Sequence, residues 1–282
     1  NESGNYVARP GDVLSYGIGY TKSGGASAQS TVKAKLVGSI FDFSKMKIDD
    51  GGYIRPGSNQ IIWNIDDNEG GGAVSFSVGV KDDYGIERLG DRNFVLRLEA
   101  EVASGEYSAQ SILETKVAGR VKATTKGFFR DADSGILNKG PMPPKVGLPT
   151  NYTIHWLVAN FANDVKEVTV KAPLMPGVTF TGVVSSNIDS RPIFNVDTNE
   201  MVWKIARIGA TTGVIGEPLK AIFQVQAIPS SADYGRFMPL IGETVINARD
   251  NFTEADLTAF SPAISTALPD DSSVGSSGIV GR

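Results

Sequence analysis

The only histidine of this chain, His155, stands between two large apolar residues of a predicted β-strand. A Ser-His-Asp triad or a histidine metal site would have to be built on this single imidazole. A similar segment in the first half of the chain carries Gly19 at the matching position, so the strand framework does not require a histidine there. We interpret His155 as a structural or surface residue, and we predict no catalytic residues and no enzymatic activity.

Two carboxylates alternate in the segment Asp131-Ala132-Asp133-Ser134-Gly135. Alternating aspartates can place oxygen ligands around Ca²⁺, although no glutamate closes the loop at the position that an EF-hand requires. A solvent-exposed turn rich in aspartate explains the same pattern. The sequence therefore offers Asp131 and Asp133 as a candidate calcium site, calcium being the only candidate cofactor, and Asp66–Glu69 as a weaker one.

Two other patterns are considered, one for a phosphate-binding loop and one for a side-chain cross-link. The glycine run at 70–72 precedes no helix and no Gly-Lys-Ser/Thr motif, so it predicts a turn and not a phosphate loop. Lys171, Asn247 and Glu243 are the residue types of a lysine–asparagine cross-link assisted by a buried carboxylate. Because buried unpaired charges are costly, and no pattern places these three in an apolar core, we do not predict the cross-link.

The elements that would position these residues occur twice. Four landmarks recur in the same order, with an offset that grows from 136 to 147 residues, as small loop insertions between fixed strands would produce. A duplicated strand framework predicts two similar domains in tandem. The paired landmarks are Gly11–Tyr20 with Gly147–Trp156, Thr31–Leu36 with Thr169–Leu174, Ile62–Ile65 with Val202–Ile205, and Phe76–Val78 with Phe223–Val225.

Most segments alternate large apolar with small or polar residues, which is the two-residue period of a β-strand. Leu14, Tyr16, Ile18 and Tyr20 share one face of such a strand, and clusters of Gly, Pro, Asn and Asp separate the strands. No amphipathic helix of three turns is present in the pattern. Roughly seven short strands in each copy predict an all-β fold of two tandem immunoglobulin-like β-sandwich domains, each with a tryptophan in its core.

The same pattern sets the expected domain boundaries. We place the first sandwich at residues 1–123 and the second at 145–268. The connection, 124–144, carries four large apolar residues, so we expect it to pack instead of forming a flexible linker. Residues 269–282 are rich in Ser and Gly, and their composition predicts a flexible tail.

Composition excludes several function classes. The net charge is −4 and no basic stripe is present, so no nucleic-acid partner is expected. The chain has no cysteine, which excludes disulfides and thiolate chemistry, and no apolar run long enough for a membrane span. Its polar start, without methionine, suggests a portion of a longer precursor.

The order of motifs in both copies resembles a tandem immunoglobulin-like surface repeat, of the domain-of-unknown-function type, found in prokaryotic cell-envelope proteins. The first copy has Pro10-Gly11-Asp12 followed by the Leu-x-Tyr-x-Ile strand; the second has Leu174-Met175-Pro176-Gly177-Val178 and the Trp203 strand. The segment 140–147 is similar to the membrane-proximal form of these repeats. The first copy departs from the pattern at Leu36–Phe41, which lacks the Pro-Gly turn. The resemblance implies an extracellular, cell-surface or envelope location and carries no catalytic residues.

Three functions compete on this basis. The first is a non-catalytic structural or adhesive module of a surface protein, acting as a spacer or interaction domain on other envelope proteins. The second is a self-assembling surface-layer or filament subunit, whose partners are copies of itself through strand exchange by its termini. The third is a carbohydrate-binding protein with surface glycans as ligands, which would need a row of exposed aromatic side chains.

Overall fold

The computed structural model describes residues 6–21, 29–65 and 71–282, and these residues form two compact units. The first unit comprises Asn1–Glu87 and Asp91–Ala118, and the second comprises Arg88–Gly90 and Gly119–Arg282. The described strands of the first unit are β1 (Val7–Ala8), β2 (Val13–Thr21), β3 (Ser30–Val37), β4 (Phe41–Ile48), β5 (Tyr53–Ile54), β6 (Gln60–Ile65), β7 (Gly71–Val80), β8 (Val95–Ser104) and β9 (Tyr107–Val117).

The described strands of the first unit form two sheets. One has six strands in the order β1-β9-β8-β3-β6-β5, and the other has three in the order β2-β7-β4. All neighbouring strands are antiparallel except β1, which runs parallel to β9. The alternating apolar residues predicted on β2, including Leu14, Tyr16 and Ile18, are buried, as the two-residue period of a half-buried strand requires.

The second unit contains the remaining elements. Its strands are β10 (Arg120–Phe128), β11 (Thr150–Phe161), β12 (Val165–Pro173), β13 (Val178–Ser186), β14 (Ile193–Asn195), β15 (Glu200–Ile208), β16 (Leu219–Ala227), β17 (Pro239–Ile241), β18 (Thr244–Asp250), β19 (Asp256–Ser261) and β20 (Ile264–Ser265), with short 3₁₀ turns at Ser231–Asp233 and Gly275–Gly278. The sheets are ordered β10-β11-β16-β13 and β14-β15-β12-β18-β19, and β17 pairs with β20. No α-helix occurs in the described ranges. The predicted fold class, two tandem immunoglobulin-like β-sandwiches, is confirmed.

The duplicated tryptophans occupy the same place in both sandwiches. Trp63 lies opposite Val32 in the first unit, and Trp203 lies opposite Val170 in the second. Both side chains are fully buried, and each indole Nε1 donates to a backbone carbonyl: Trp63 to Asp49 at 2.9 Å, Trp203 to Ser190 at 3.1 Å. The prediction that they fill the two cores is confirmed, and each carries its polar nitrogen to a partner, as buried indoles need.

The segments expected to connect and to end the domains are built into the second unit. Strand β10 begins at Arg120, before the boundary expected at residue 123, and it pairs along its whole length with β11. The C-terminal segment, expected as a flexible tail, instead packs: Val274 and Val280 are buried, and Gly281 exchanges backbone hydrogen bonds with residues 144–146. The Ser/Gly composition of this segment predicts flexibility, but its two valines are buried and hold it in place.

Candidate functional site

Strand β11 is buried on both faces, and its outer face is covered by the segment that follows β10. The inner face contributes Ile154 and Trp156 to the core, while His155 points to the opposite side. There Nε2 of His155 lies 2.6 Å from Oδ2 of Asp131, and both side chains are almost fully buried. A carboxylate can only accept, so Nε2 carries the proton of this hydrogen bond. The structure therefore joins two residues that the sequence presented separately.

An amide network continues from this pair across the sheet. The Asn138 side-chain amide donates to the carbonyls of Phe128 and Phe129 and to Oγ1 of Thr153. Nε2 of Gln224, on β16, donates to Oδ1 of Asn138 at 2.8 Å. These bonds use backbone groups that a loop over a sheet would otherwise bury without partners. The network thus fixes the connecting segment to the sheet.

A second carboxylate, Asp271, holds the same segment from the C-terminal side. Its Oδ2 accepts the backbone N–H groups of Phe129 and Arg130 at 2.9 and 2.8 Å, and its Oδ1 accepts the N–H and the hydroxyl of Ser273. Charge-assisted hydrogen bonds of this kind are about twice as strong as neutral ones. Asp271 therefore ties the stretch just after β10 to the end of the chain.

Acid is expected to weaken this arrangement. Burial alone raises the pKa of Asp131, but hydrogen bonds from Thr153, Ser134 and His155 outweigh it, and the pKa lies below its ordinary value. For Asp271, too, burial is outweighed, by bonds from Ser273, Arg130 and Phe129, and its pKa is lowered. A lowered folded-state pKa gives stability that is full above the unfolded value of about 3.9 and is lost as the pH falls below it.

We therefore expect the free energy of unfolding of the second unit to fall as the pH is lowered below about 4, and to fall less steeply in Asp131→Asn and Asp271→Asn. The free energy of unfolding is measured at a series of pH values by denaturant titration of the full chain. Hydrogen exchange of amides in the second unit is the readout. Asp133→Asn, at an exposed site in the same turn, is the control. Equal acid slopes in all four proteins would contradict the assignment.

The two aspartates of the candidate calcium site lie in different environments. Asp131 is buried against His155, whereas Asp133 is exposed. Across residues 6–21, 29–65 and 71–282, no three His, Asp or Glu side chains lie together in a way that could hold a metal ion. A calcium ion at Asp131 would have to displace the hydrogen bond from His155, so the two-aspartate site stays a prediction without a third ligand. The weaker candidate at 66–69 lies outside the described residues, as does the polar N-terminal arm.

The residues considered for a cross-link do not form a buried group. Glu243 and Asn247 are exposed, and Asn247 accepts from the hydroxyl of Thr258 at 2.8 Å. The ammonium of Lys171 lies 3.7 Å from Glu200 at the surface. Residues 71 and 72 of the glycine run lie in strand β7, and residue 70 lies outside the described residues.

The sequence did not indicate Asp250, a carboxylate of the second unit that accepts four hydrogen bonds, as many as Asp271. Oδ2 of Asp250 accepts from the N–H of Gly119 at 2.6 Å and from the amide of Asn163 at 2.8 Å, and its Oδ1 accepts from the N–H groups of Phe252 and Thr253 at 2.8 and 3.0 Å. Asp250 is fully buried. Two of its partners, Phe252 and Thr253, are local, but Asn163 and Gly119 are 87 and 131 residues away, so the sequence does not show that the turn is buried.

The first unit offers a charged outer face. Lys33 and Lys35 on β3 lie opposite Glu101 and Glu99 on β8, with ammonium–carboxylate distances of 3.5 and 3.3 Å. Together with Ile112 they line a shallow depression of about 240 Å³. Opposite charges already face each other there. We therefore interpret these residues as a cross-strand ladder that stabilises the sheet, and not as a binding pocket for a charged ligand.

Comparison with family models and with curated proteins finds no match, so membership in the surface-repeat family stays a prediction. Solved structures with some similarity include the C-terminal domain of the antigen I/II-family protein AspA from Streptococcus pyogenes (10% identity, TM-score 0.33, 91% of this chain and 94% of that chain). The major pilin SpaD from Corynebacterium diphtheriae has 12% identity, TM-score 0.33 and coverage of 94% and 68%. The major pilin subunit BcpA of Bacillus cereus has 10% identity, TM-score 0.34 and coverage of 89% and 69%. At this level, the functions of those proteins are not transferred to this chain. In the described residues, no helix is long and apolar enough to cross a bilayer.

Proposed function

We propose that this chain is a non-catalytic structural module of a prokaryotic cell-surface protein, acting as a spacer or interaction domain on other envelope proteins. The duplicated sandwiches and the motif order of the surface repeat support the location. The structural role is supported by what the buried ionisable side chains do. Asp131, His155, Asp250 and Asp271 all hold backbone or one another.

The observation that carries the proposal is the tie made by Asp271. A module strung in a chain is stressed through the segments by which the chain enters and leaves it. The chain enters the second unit through β10; Asp271 joins the stretch directly after β10 to the C-terminal segment, and Gly281 is hydrogen-bonded to Pro144 and Val146. Both segments are thereby held in the sandwich, as a spacer under tension requires.

The carbohydrate-binding alternative receives less support. A glycan platform needs aromatic faces exposed in a row, but Trp63, Trp156 and Trp203 are each 0% exposed. The indole of Trp156 also donates to Oγ1 of Thr244 inside the core. The tryptophans therefore serve the sandwiches, in agreement with their predicted core positions. The self-assembly alternative is supported by the exposed strand β9 of the first unit.

The structural role is tested by stretching the full chain between handles at its two ends in single-molecule force spectroscopy. We expect the second unit to unfold in one step that releases all of its residues, at about 3.6 Å of contour length per residue. In Asp271→Ala, a separate extension at lower force should precede the main step, since the C-terminal segment is no longer tied. Asp133→Ala, at an exposed site, should behave as the unmodified chain. Early release of residues 269–282 in the unmodified chain would contradict the proposal.

A further inference from the structure

Strand β9 lies next to the two-residue edge strand β1 in the six-stranded sheet and is exposed over most of its length. Strand β1 covers the outer edge of β9 only at Lys116 and Val117, and within the described parts of the chain no strand pairs with the edge from Tyr107 to Thr115. Every residue from Tyr107 to Glu114 is exposed, including apolar side chains: Tyr107 is 80% and Ile112 is 62% exposed. The β8–β9 hairpin thus presents a long open strand to solvent.

The backbone of this edge has its hydrogen-bonding groups directed outward at alternate residues. The N–H of Val117 donates to Phe94 on the β8 side, whereas the N–H of Ala118 donates to Ala8 on the β1 side. With the regular β8–β9 register, this alternation directs the N–H and C=O groups of odd-numbered residues toward β8. Those of Ser108, Gln110, Ile112 and Glu114 are directed away from the sheet, as an added strand would need.

The usual protection of a sheet edge is missing here. Natural edge strands carry lysine, proline, inward-pointing charges or bulges that prevent pairing with another chain. The stretch Tyr107-Ser108-Ala109-Gln110-Ser111-Ile112-Leu113 has no charge and no proline, and its pairing with β8 is regular throughout. An uncharged, regular edge with exposed apolar side chains on both faces favours pairing with a further strand.

We propose that this edge pairs antiparallel with the same edge of a second copy of the chain, giving a two-fold continuous sheet. Charge distinguishes the two registers that centre the pairing on the open stretch. A two-fold axis at Gln110 would set Glu106 opposite Glu114, and like charges directly opposite are destabilising. With the axis at Ser111, Glu114 lies opposite Ser108, Ala109 opposite Leu113, and Gln110 forms the hydrogen-bonded pair with Ile112. The second register contains no opposed like charges between Tyr107 and Thr115.

This self-pairing names a partner for the structural role proposed above and rests on it. The two can nevertheless fail separately. The force experiment concerns residues of the second unit within one molecule, whereas self-pairing concerns the first unit and depends on protein concentration.

A cysteine at Ser111 tests the register directly. Residues at a non-hydrogen-bonded antiparallel position have Cα atoms about 4.5 Å apart, which a disulfide can span. Because the chain has no cysteine of its own, any disulfide formed joins two copies. Under identical mild oxidation, we expect Ser111→Cys to give about tenfold more cross-linked dimer than Ser108→Cys, at another exposed serine of the same strand. Equal yields, or no dimer from Ser111→Cys, would overturn the register.

A proline at Gln110 tests the pairing itself. It removes an outward N–H and leaves the ladder with β8 intact, as an edge strand tolerates. Sedimentation equilibrium over a concentration series should show reversible dimers for the unmodified chain. The dissociation constant of Gln110→Pro should rise about tenfold or more, because two hydrogen bonds are lost across the two-fold axis. Gln110→Ala, which keeps the N–H, should associate as the unmodified chain does.

Circular dichroism and thermal unfolding verify that Gln110→Pro remains folded. A strictly monomeric unmodified chain would overturn the proposal. So would an unchanged dissociation constant in folded Gln110→Pro, since another surface would then mediate the association.

Discussion

Replacing Asp250 with asparagine is expected to lower the free energy of unfolding of the second unit by about 3–5 kcal/mol. The carboxylate accepts four hydrogen bonds in a fully buried position, two on each oxygen. An amide of the same shape keeps one accepting oxygen and turns its NH₂ group toward two donors. Two buried N–H groups then lose their partner and face another donor, and each such loss costs about 1–3 kcal/mol.

Hydrogen exchange of the full chain in a denaturant series measures this change, with amides of β12 and β18 as reporters of the second unit. The matched control is Asp256→Asn, because the Asp256 side chain is 85% exposed and ion-pairs with Arg249 only at the surface. Its effect should stay within about 0.5 kcal/mol. A cost for Asp250→Asn as small as that of the control would show that the four contacts do not hold this end of the sandwich.

Truncation of Trp203 to alanine is expected to cost about 3–5 kcal/mol in the second unit, and Trp63→Ala is expected to cost a similar amount in the first. Each change removes a fully buried indole and its bond to a backbone carbonyl, and it leaves a cavity in a closely packed core. The same exchange experiment, read separately in β3 and β12, measures both costs. Val196→Ala, at a residue that is 78% exposed, is the control.

Two similar costs would show that the duplication preserved the energetic role of the tryptophan as well as its position. A cost below about 1 kcal/mol for either tryptophan would contradict its assignment as the centre of its core.

The strand framework could be predicted from the sequence because both of its signals are local. The alternation of apolar residues marks the strands, and the repeated motif around Thr31 and Thr169 marks the duplication. The repeated motif also preserves the pairing register, since Val32 lies opposite Trp63 as Val170 lies opposite Trp203. These features depend on neighbours in sequence and on the two-residue period, which a single chain displays directly.

The pairing register of two strands could not be predicted where the repeated motifs are short. The sequence aligned Tyr16 with Tyr152 and Phe76 with Phe223. In the structure Tyr16 lies opposite Phe76, but Tyr152 lies opposite Val225 and Ile154 lies opposite Phe223. A shift of two residues keeps every side chain on the same face of a strand, so apolar periodicity cannot distinguish the two alignments.

The polar contacts of the second unit were not predictable for a different reason. Asp131 and His155 are 24 residues apart, and Asp271 holds the backbone of Phe129 from 142 residues away. Such contacts follow from the folded path of the chain and not from residue spacing. The composition of 269–282 predicts flexibility, yet one buried carboxylate and two buried valines are enough to fix it.

The connecting segment and the C-terminal segment are both hydrogen-bonded into the second sandwich, and the proposed structural role depends on this. Hydrogen exchange of the Phe129 and Arg130 amides in the unmodified chain at neutral pH tests it most directly. We expect protection comparable to that of β11, and loss of this protection in Asp271→Ala while β11 stays protected. Exchange of these two amides at the rate of an unstructured peptide in the unmodified chain would contradict it.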